Sequence, residues 1–107
     1  MTAPASLYVA AANRSWAERR PGVHWKVLFE DGDTQTVLVR YAPGAVIPRH
    51  RHLGDEQIFV LEGSVSDDTG TCPTGGYARR PPGCVHAVES RDGALVLAVM
   101  TGGTAPA

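Results

Sequence analysis

Short apolar segments alternate with turn-forming residues along most of the chain. Residues 24–29, 34–41, 57–61 and 95–100 are rich in β-branched and aromatic side chains, which favour β-strands. Asp, Gly and Pro separate these segments, as in the hairpin turn predicted at residues 30–33. Because no long stretch repeats its apolar positions every 3.6 residues, the pattern predicts an all-β sandwich or closed barrel of about eight short strands.

A weak strand is predicted at residues 7–11, an extended segment at residues 46–52 and a strand at residues 85–88, whereas residues 14–22 are predicted to form a polar connector. Pro48 has no backbone N–H to donate, which favours an edge strand or a strand start at that point. The two ends, residues 1–6 and 102–107, are rich in small residues and are expected to be loose. Without internal repeats or a linker, residues 1–107 are predicted to form a single domain.

The composition is that of an ordinary globular protein, with 43% hydrophobic and 20% charged residues. A net charge of −1 argues against a nucleic-acid partner, which would call for a basic surface. The longest apolar run, residues 94–100, is far shorter than the roughly 20 residues of a membrane helix. With no signal peptide evident and only two cysteines, we expect a cytoplasmic protein with reduced thiols and no membrane partner.

The chemistry is concentrated in two segments that contain three of the four histidines. His50 and His52 are two residues apart, so a strand would point both imidazoles to one face. Glu56 follows after a short turn, and His86 follows the Pro81–Pro82–Gly83 break. Three imidazoles and a carboxylate suit a divalent ion such as Fe(II), Zn, Ni or Mn. Spacing alone leaves open that the histidine pair is an exposed polar pair.

The order of these residues resembles the two sequence motifs of the cupin superfamily. The first motif is matched at every fixed position, by Gly44, His50, His52, Glu56 and Gly63. The second is matched by Gly75, Pro81, Gly83 and His86, and Ser90 stands where that motif has asparagine. The resemblance implies a cupin jelly-roll β-barrel that holds one divalent metal ion through His50, His52, Glu56 and His86. The resemblance also implies that proteins of this kind frequently form dimers.

Within the superfamily, the segments around the two motifs are most similar to the ChrR-type cupin domain and to diketone-cleaving, non-haem iron cupin dioxygenases. Three functions stay open. The protein could be a metalloenzyme of dioxygenase type that acts on an oxygen-rich or dicarbonyl substrate, with Glu56 as a candidate base. It could instead be a non-catalytic, metal-dependent sensory module, or a barrel that its metal only stabilises. A complete anti-sigma factor is not expected, because barrel strands occupy the residues before the motifs.

The strand after Glu56 alternates in a way that predicts two faces. Ile58 and Val60 share the parity of Glu56 and are expected to line an apolar pocket at the metal. Phe59 and Leu61 are then expected to face outward, where a second copy of the chain could cover them in a homodimer.

The cysteines carry weaker predictions. Cys84 lies two residues before His86, so its thiol would share the inward face and line the pocket if the strand already runs there. The alternative is a small buried apolar residue. Cys72 is expected to be an inert loop residue, and His24 is expected not to be a metal ligand.

Overall fold

The computed structural model describes residues 2–107, and Met1 lies outside the described part. One 3-10 turn, Ala11–Asn13, precedes ten β-strands. The strands are β1 (Ala17–Arg20), β2 (Val23–Asp31), β3 (Thr34–Tyr41), β4 (Ala45–His52), β5 (Glu56–Asp67), β6 (Gly70–Pro73), β7 (Tyr77–Arg80), β8 (Val85–Ser90), β9 (Ala94–Thr101) and β10 (Thr104–Pro106). The predicted all-β class is confirmed, since these described residues contain no α-helix.

The apolar pattern of the sequence mispredicted several short segments. Residues 7–11 form no strand, and the predicted connector at residues 14–22 contains β1. Residues 104–106, within the end expected to be loose, form β10 and pair with His52, Arg51 and His50 of β4. Three-residue and four-residue strands carry too few apolar positions to reveal a period, so their neighbours in the sheet define them.

The strands form one antiparallel sheet that curls on itself. Its order is β1-β2-β3-β9-β5-β8-β4-β10, with β6 and β7 also paired to β5. The long strand β5 joins the two halves, because its first residues pair with β7 and β9 whereas its last residues pair with β6 and β8. The result is the jelly-roll barrel of the cupin fold, as the sequence motifs implied.

Gly63 allows β5 to pass from one half of the barrel to the other. Its φ is +71°, and a Cβ there would lie 1.9 Å from the carbonyl oxygen of Gly93. Both the backbone conformation and the close approach therefore require glycine. The register of β5 against β9 also shifts just before it, between Val60 and Glu62, so the strand bends where the barrel turns a corner.

The core lies inside the curl and is built from alternate residues of the strands. Its buried apolar side chains are Val23, Val37, Val39, Tyr41, Ala45, Ile58, Val60, Val65, Val88, Ala94, Val96, Ala98 and Met100. The predicted parity of β5 is correct: Ile58 and Val60 are buried, whereas Phe59 and Leu61 are 43% and 42% exposed. No helix in residues 2–107 has the length and apolar character needed to cross a membrane.

Candidate metal centre

A bulge in β4 aims two histidines into the barrel. Ala45 is buried, and Ile47 is partly buried and packs against the core. Strict alternation would therefore send both His50 and His52 outward. The register against β8 shifts between Ile47 and His50, in the part of the strand that contains Pro48. β4 therefore has one more residue than β8 in this stretch, and the extra residue reverses which side of the sheet the following side chains face. Pro48 thus lies at an interrupted part of the ladder, where its missing N–H is tolerated, rather than at a strand start.

The third histidine reaches the same place through strand pairing. His86, on β8, is the register partner of His50 on β4. Residues directly opposite in an antiparallel pair point to the same side of the sheet, so the two imidazoles meet inside the barrel. His52 and His86 are only 4% and 3% exposed, and His50 is half-buried.

The three imidazoles converge through their Nε2 atoms. His52 Nε2 lies 3.1 Å from His50 Nε2 and 3.0 Å from His86 Nε2. The ring centroids are 4.7–5.0 Å apart, with interplanar angles of 61–64°. Two nitrogens bound to one ion at about 2.1 Å lie about 3.0 Å apart when they subtend roughly a right angle. These three residues therefore fit one face of a metal coordination sphere, and they could hold a metal ion.

Two of the rings are oriented through their second nitrogen. His50 Nδ1 lies 2.8 Å from the carbonyl oxygen of Pro48, and His86 Nδ1 lies 2.9 Å from Asp67 Oδ2. A carbonyl and a carboxylate only accept, so each Nδ1–H donates and each Nε2 keeps its lone pair for a metal. The sequence reasoning missed Asp67, which ends β5 and meets His86 only because the barrel closes.

Burial favours the neutral form of two of these imidazoles. Desolvation lowers the pKa of His50, and the nearby His86 and arginine charges add to the effect despite the Pro48 carbonyl. Desolvation also lowers the pKa of His52 to about 4, with help from the charges of His50 and His86. Although burial acts to raise it, hydrogen bonds from His86 and Thr69 hold the pKa of Asp67 well below its usual range. A negative Asp67 near the cluster, with the neutral forms of His50 and His52 favoured, is an arrangement that attracts a cation.

Glu56, the predicted fourth ligand, stands at the edge of the cluster. Its Oε1 lies 3.9 Å from His52 Nε2 and 3.9 Å from Arg80 Nε, so it makes no hydrogen bond to either at that distance. Burial raises the pKa of Glu56, and the charge of Arg80 opposes this. Its roles as a ligand and as a base stay predictions.

The histidines form part of the wall of a cavity of about 390 Å³. Its apolar wall includes Val23, Val39, Ile58, Val88 and Val96, and its polar wall includes Arg80 and Tyr41. Of the three predicted pocket residues, Ile58 lines this cavity. Within residues 2–107, Val60 is fully buried in the core rather than on the cavity wall.

Cys84 lies outside this cavity as well. Because β8 begins at Val85, the strand alternation that would have turned its thiol inward does not extend to Cys84. It lines a separate surface cavity together with Cys72, and its carbonyl accepts a hydrogen bond from the His52 N–H. His24 lies on β2, 3.6 Å from Glu18 and apart from the cluster.

Comparison with known proteins places this site in a family context. A family model described as the ChrR cupin-like domain matches residues 4–105. No curated protein matches the chain. An RmlC-like cupin protein from Ralstonia eutropha superposes on this chain with a TM-score of 0.86. The sequence identity is 16%, over 94% of this chain and 71% of that chain.

Two further solved structures differ in what they do. An acetylacetone dioxygenase from Acinetobacter johnsonii superposes with a TM-score of 0.79, at 16% identity over 97% of this chain and 78% of that one. The Rhodobacter sphaeroides complex of SigE with the anti-sigma ChrR superposes with a TM-score of 0.75. There the identity is 24%, over 84% of this chain and 50% of that chain. At these identities the likeness establishes the fold alone.

Proposed function

Because the chain belongs to the ChrR cupin-like domain family, we propose that it is a mononuclear metal-binding cupin whose ion serves small-molecule chemistry of the dioxygenase type. The substrate class is an oxygen-rich or dicarbonyl compound. One observation carries the proposal: three Nε2 atoms converge on the wall of a cavity of about 390 Å³. A metal that only stabilises the barrel would need no such cavity beside it.

His50, His52 and His86 would hold the ion, with Asp67 orienting His86. A bound ion supplies Lewis acidity and, as Fe(II), redox chemistry with O₂. Glu56, whose Oε1 lies 3.9 Å from His52 Nε2, would either complete the ligand set or take a proton from an acidic C–H of the substrate. The apolar wall at Ile58 would hold the substrate and exclude water.

Oxygen uptake by Fe(II)-loaded protein tests the enzymatic function. We expect acetylacetone to cause oxygen consumption that His86→Ala abolishes and that His24→Ala, a change of the histidine outside the cluster, leaves intact. Elemental analysis of protein purified without chelator or affinity tag identifies the resident ion. Fully iron-loaded protein that consumes no oxygen with any small diketone would contradict the dioxygenase function.

The family match favours a second candidate, a metal-dependent sensory module without catalysis. The Rhodobacter ChrR, as an anti-sigma factor, is in complex with a sigma factor. On this alternative, the chain would bind a protein partner in a manner that depends on its metal. A pull-down with metal-loaded and chelator-treated protein separates the two functions, since an enzyme without a partner captures nothing specific in either state.

We also propose that the protein is a homodimer. Phe59, Leu61, Tyr77 and Val99 lie on β5, β7 and β9 and are each 40–58% exposed. Apolar side chains gathered on one outer sheet face are typical of an interaction surface. Light scattering at micromolar concentration is expected to give twice the chain mass, and Phe59→Ser is expected to lower it. A monomer for the unaltered chain would contradict the proposal.

A further inference from the structure

Arg80 is a buried cation on the wall of the metal cavity. It ends β7 as the register partner of Glu56, so its side chain points to the same inner side. It is only 7% exposed, whereas its neighbour Arg79 points outward to Asp55 at 2.7 Å. A guanidinium stays charged at any pH a protein experiences, so Arg80 brings a permanent positive charge into the barrel.

The protein does not satisfy this guanidinium. Its Nη1 is buried and has no hydrogen-bond partner within residues 2–107. Its Nε lies 3.9 Å from Glu56 Oε1, too far for a hydrogen bond. Buried charges are normally paired and hydrogen-bonded, because desolvation of an unpaired charge is costly. Because Arg80 lines the metal cavity, a group that enters the cavity can pair with this guanidinium.

The rest of the wall favours an anion. Three arginines, Arg19, Arg20 and Arg80, line the cavity, whereas among residues 2–107 Glu56 is its one acidic lining residue. Tyr41 lines it too, and burial, with the charge of Glu56 adding, raises the pKa of its hydroxyl so that it stays a donor. A cavity lined mainly by one sign of charge attracts ligands of the opposite sign.

We propose that Arg80 recognises a carboxylate, so that the ligand of this cavity is a small carboxylic acid whose remaining oxygen atoms face the three histidines. The planar guanidinium fork matches a carboxylate with two parallel hydrogen bonds. The volume of about 390 Å³ and the apolar wall limit the ligand to a small molecule. The inference rests on the proposed function, and it narrows the oxygen-rich substrate class to keto acids and related carboxylates.

Calorimetric titration with acetoacetate and its methyl ester tests this directly, because the two differ chiefly in the charge. The titrations use Zn(II)-loaded protein, which is redox-silent, and metal-free protein. We expect the acid to bind at least about tenfold more tightly than the ester. Arg80→Gln should remove that preference, and the outward-facing Arg79→Gln should keep it. Arg80→Lys, which keeps the charge and loses the fork, should retain part of it and serves if Arg80→Gln does not fold.

Equal affinity of the unaltered protein for acid and ester overturns the inference and leaves the metal centre standing. An unchanged preference in Arg80→Gln overturns it as well. If the protein takes up no metal, the proposed function fails, and the metal-free titrations then decide the inference. Arg80-dependent binding of acetoacetate to metal-free protein supports it, whereas no binding there overturns it.

Discussion

Strands β3 and β4 are both eight residues long, yet their inward faces differ after Ile47. β3 pairs on both sides and points Val37, Val39 and Tyr41 inward in strict alternation. β4 breaks its alternation with a bulge and points His50 and His52 inward. Regular alternation in β3 contributes to the apolar core, and the bulge in β4 turns two histidines of the candidate site inward. The barrel interior thus has a stabilising half, which is the apolar core, and a chemical half, which is the histidine cluster.

The strongest test of this division removes a histidine. We expect His52→Ala to lower metal affinity by more than the roughly 10–100-fold that loss of an outer-sphere partner costs. A chelator-competition titration measures the affinity, with His24→Ala as the control. Unaltered affinity in His52→Ala would mean that β4 is not the metal-binding strand.

Asp67→Asn sharpens the comparison by leaving all three histidines in place. The amide loses the charge that faces His86 Nδ1, and it can present its NH₂ instead of an acceptor. Metal affinity should fall by about 10–100-fold. The control is Asp68→Asn, whose exposed carboxylate pairs with Arg49 away from the cluster. Equal affinity in Asp67→Asn and Asp68→Asn would remove Asp67 from the site.

Val37→Ala tests the stabilising half. Val37 is fully buried, so truncation should lower the free energy of unfolding by about 1–3 kcal/mol. Val46→Ala, on the exposed face of β4, should change it by less than about 0.5 kcal/mol. Urea denaturation measures both. Metal affinity should stay unchanged in each, and a loss of affinity in Val37→Ala would show that the two halves are coupled.

A further prediction concerns the pH dependence of the stability of the metal-free protein. The pKa of His52 falls from 6.5 to about 4 on folding, so between these values the unfolded chain binds a proton that the folded chain does not. The free energy of unfolding should therefore decrease as pH falls through that window. Urea denaturation in chelator follows it, and His52→Gln should show a weaker dependence. A stability that rises on acidification would contradict the burial argument.

Sequence pattern predicted the parts of this molecule that depend on neighbours along the chain. Alternation gave the two faces of β5, and the motif spacing selected His50, His52 and His86. The alternation argument for His50 and His52 predicted only that they share a face, because the bulge near Pro48 decides which face that is. Asp67 and Arg80 could not be assigned from sequence, since strand pairing alone brings Asp67 to His86 and Arg80 to the cavity wall.

The pairing of β10 with β4 has a consequence for the edge of the sheet. Thr104 and Pro106 lie opposite His52 and His50, so β10 covers the edge of the strand that carries two of the candidate ligands. Without β10, β4 would present unpaired backbone groups along that edge. Residues 104–106 therefore shield the strand that supports the candidate metal centre from pairing with another chain.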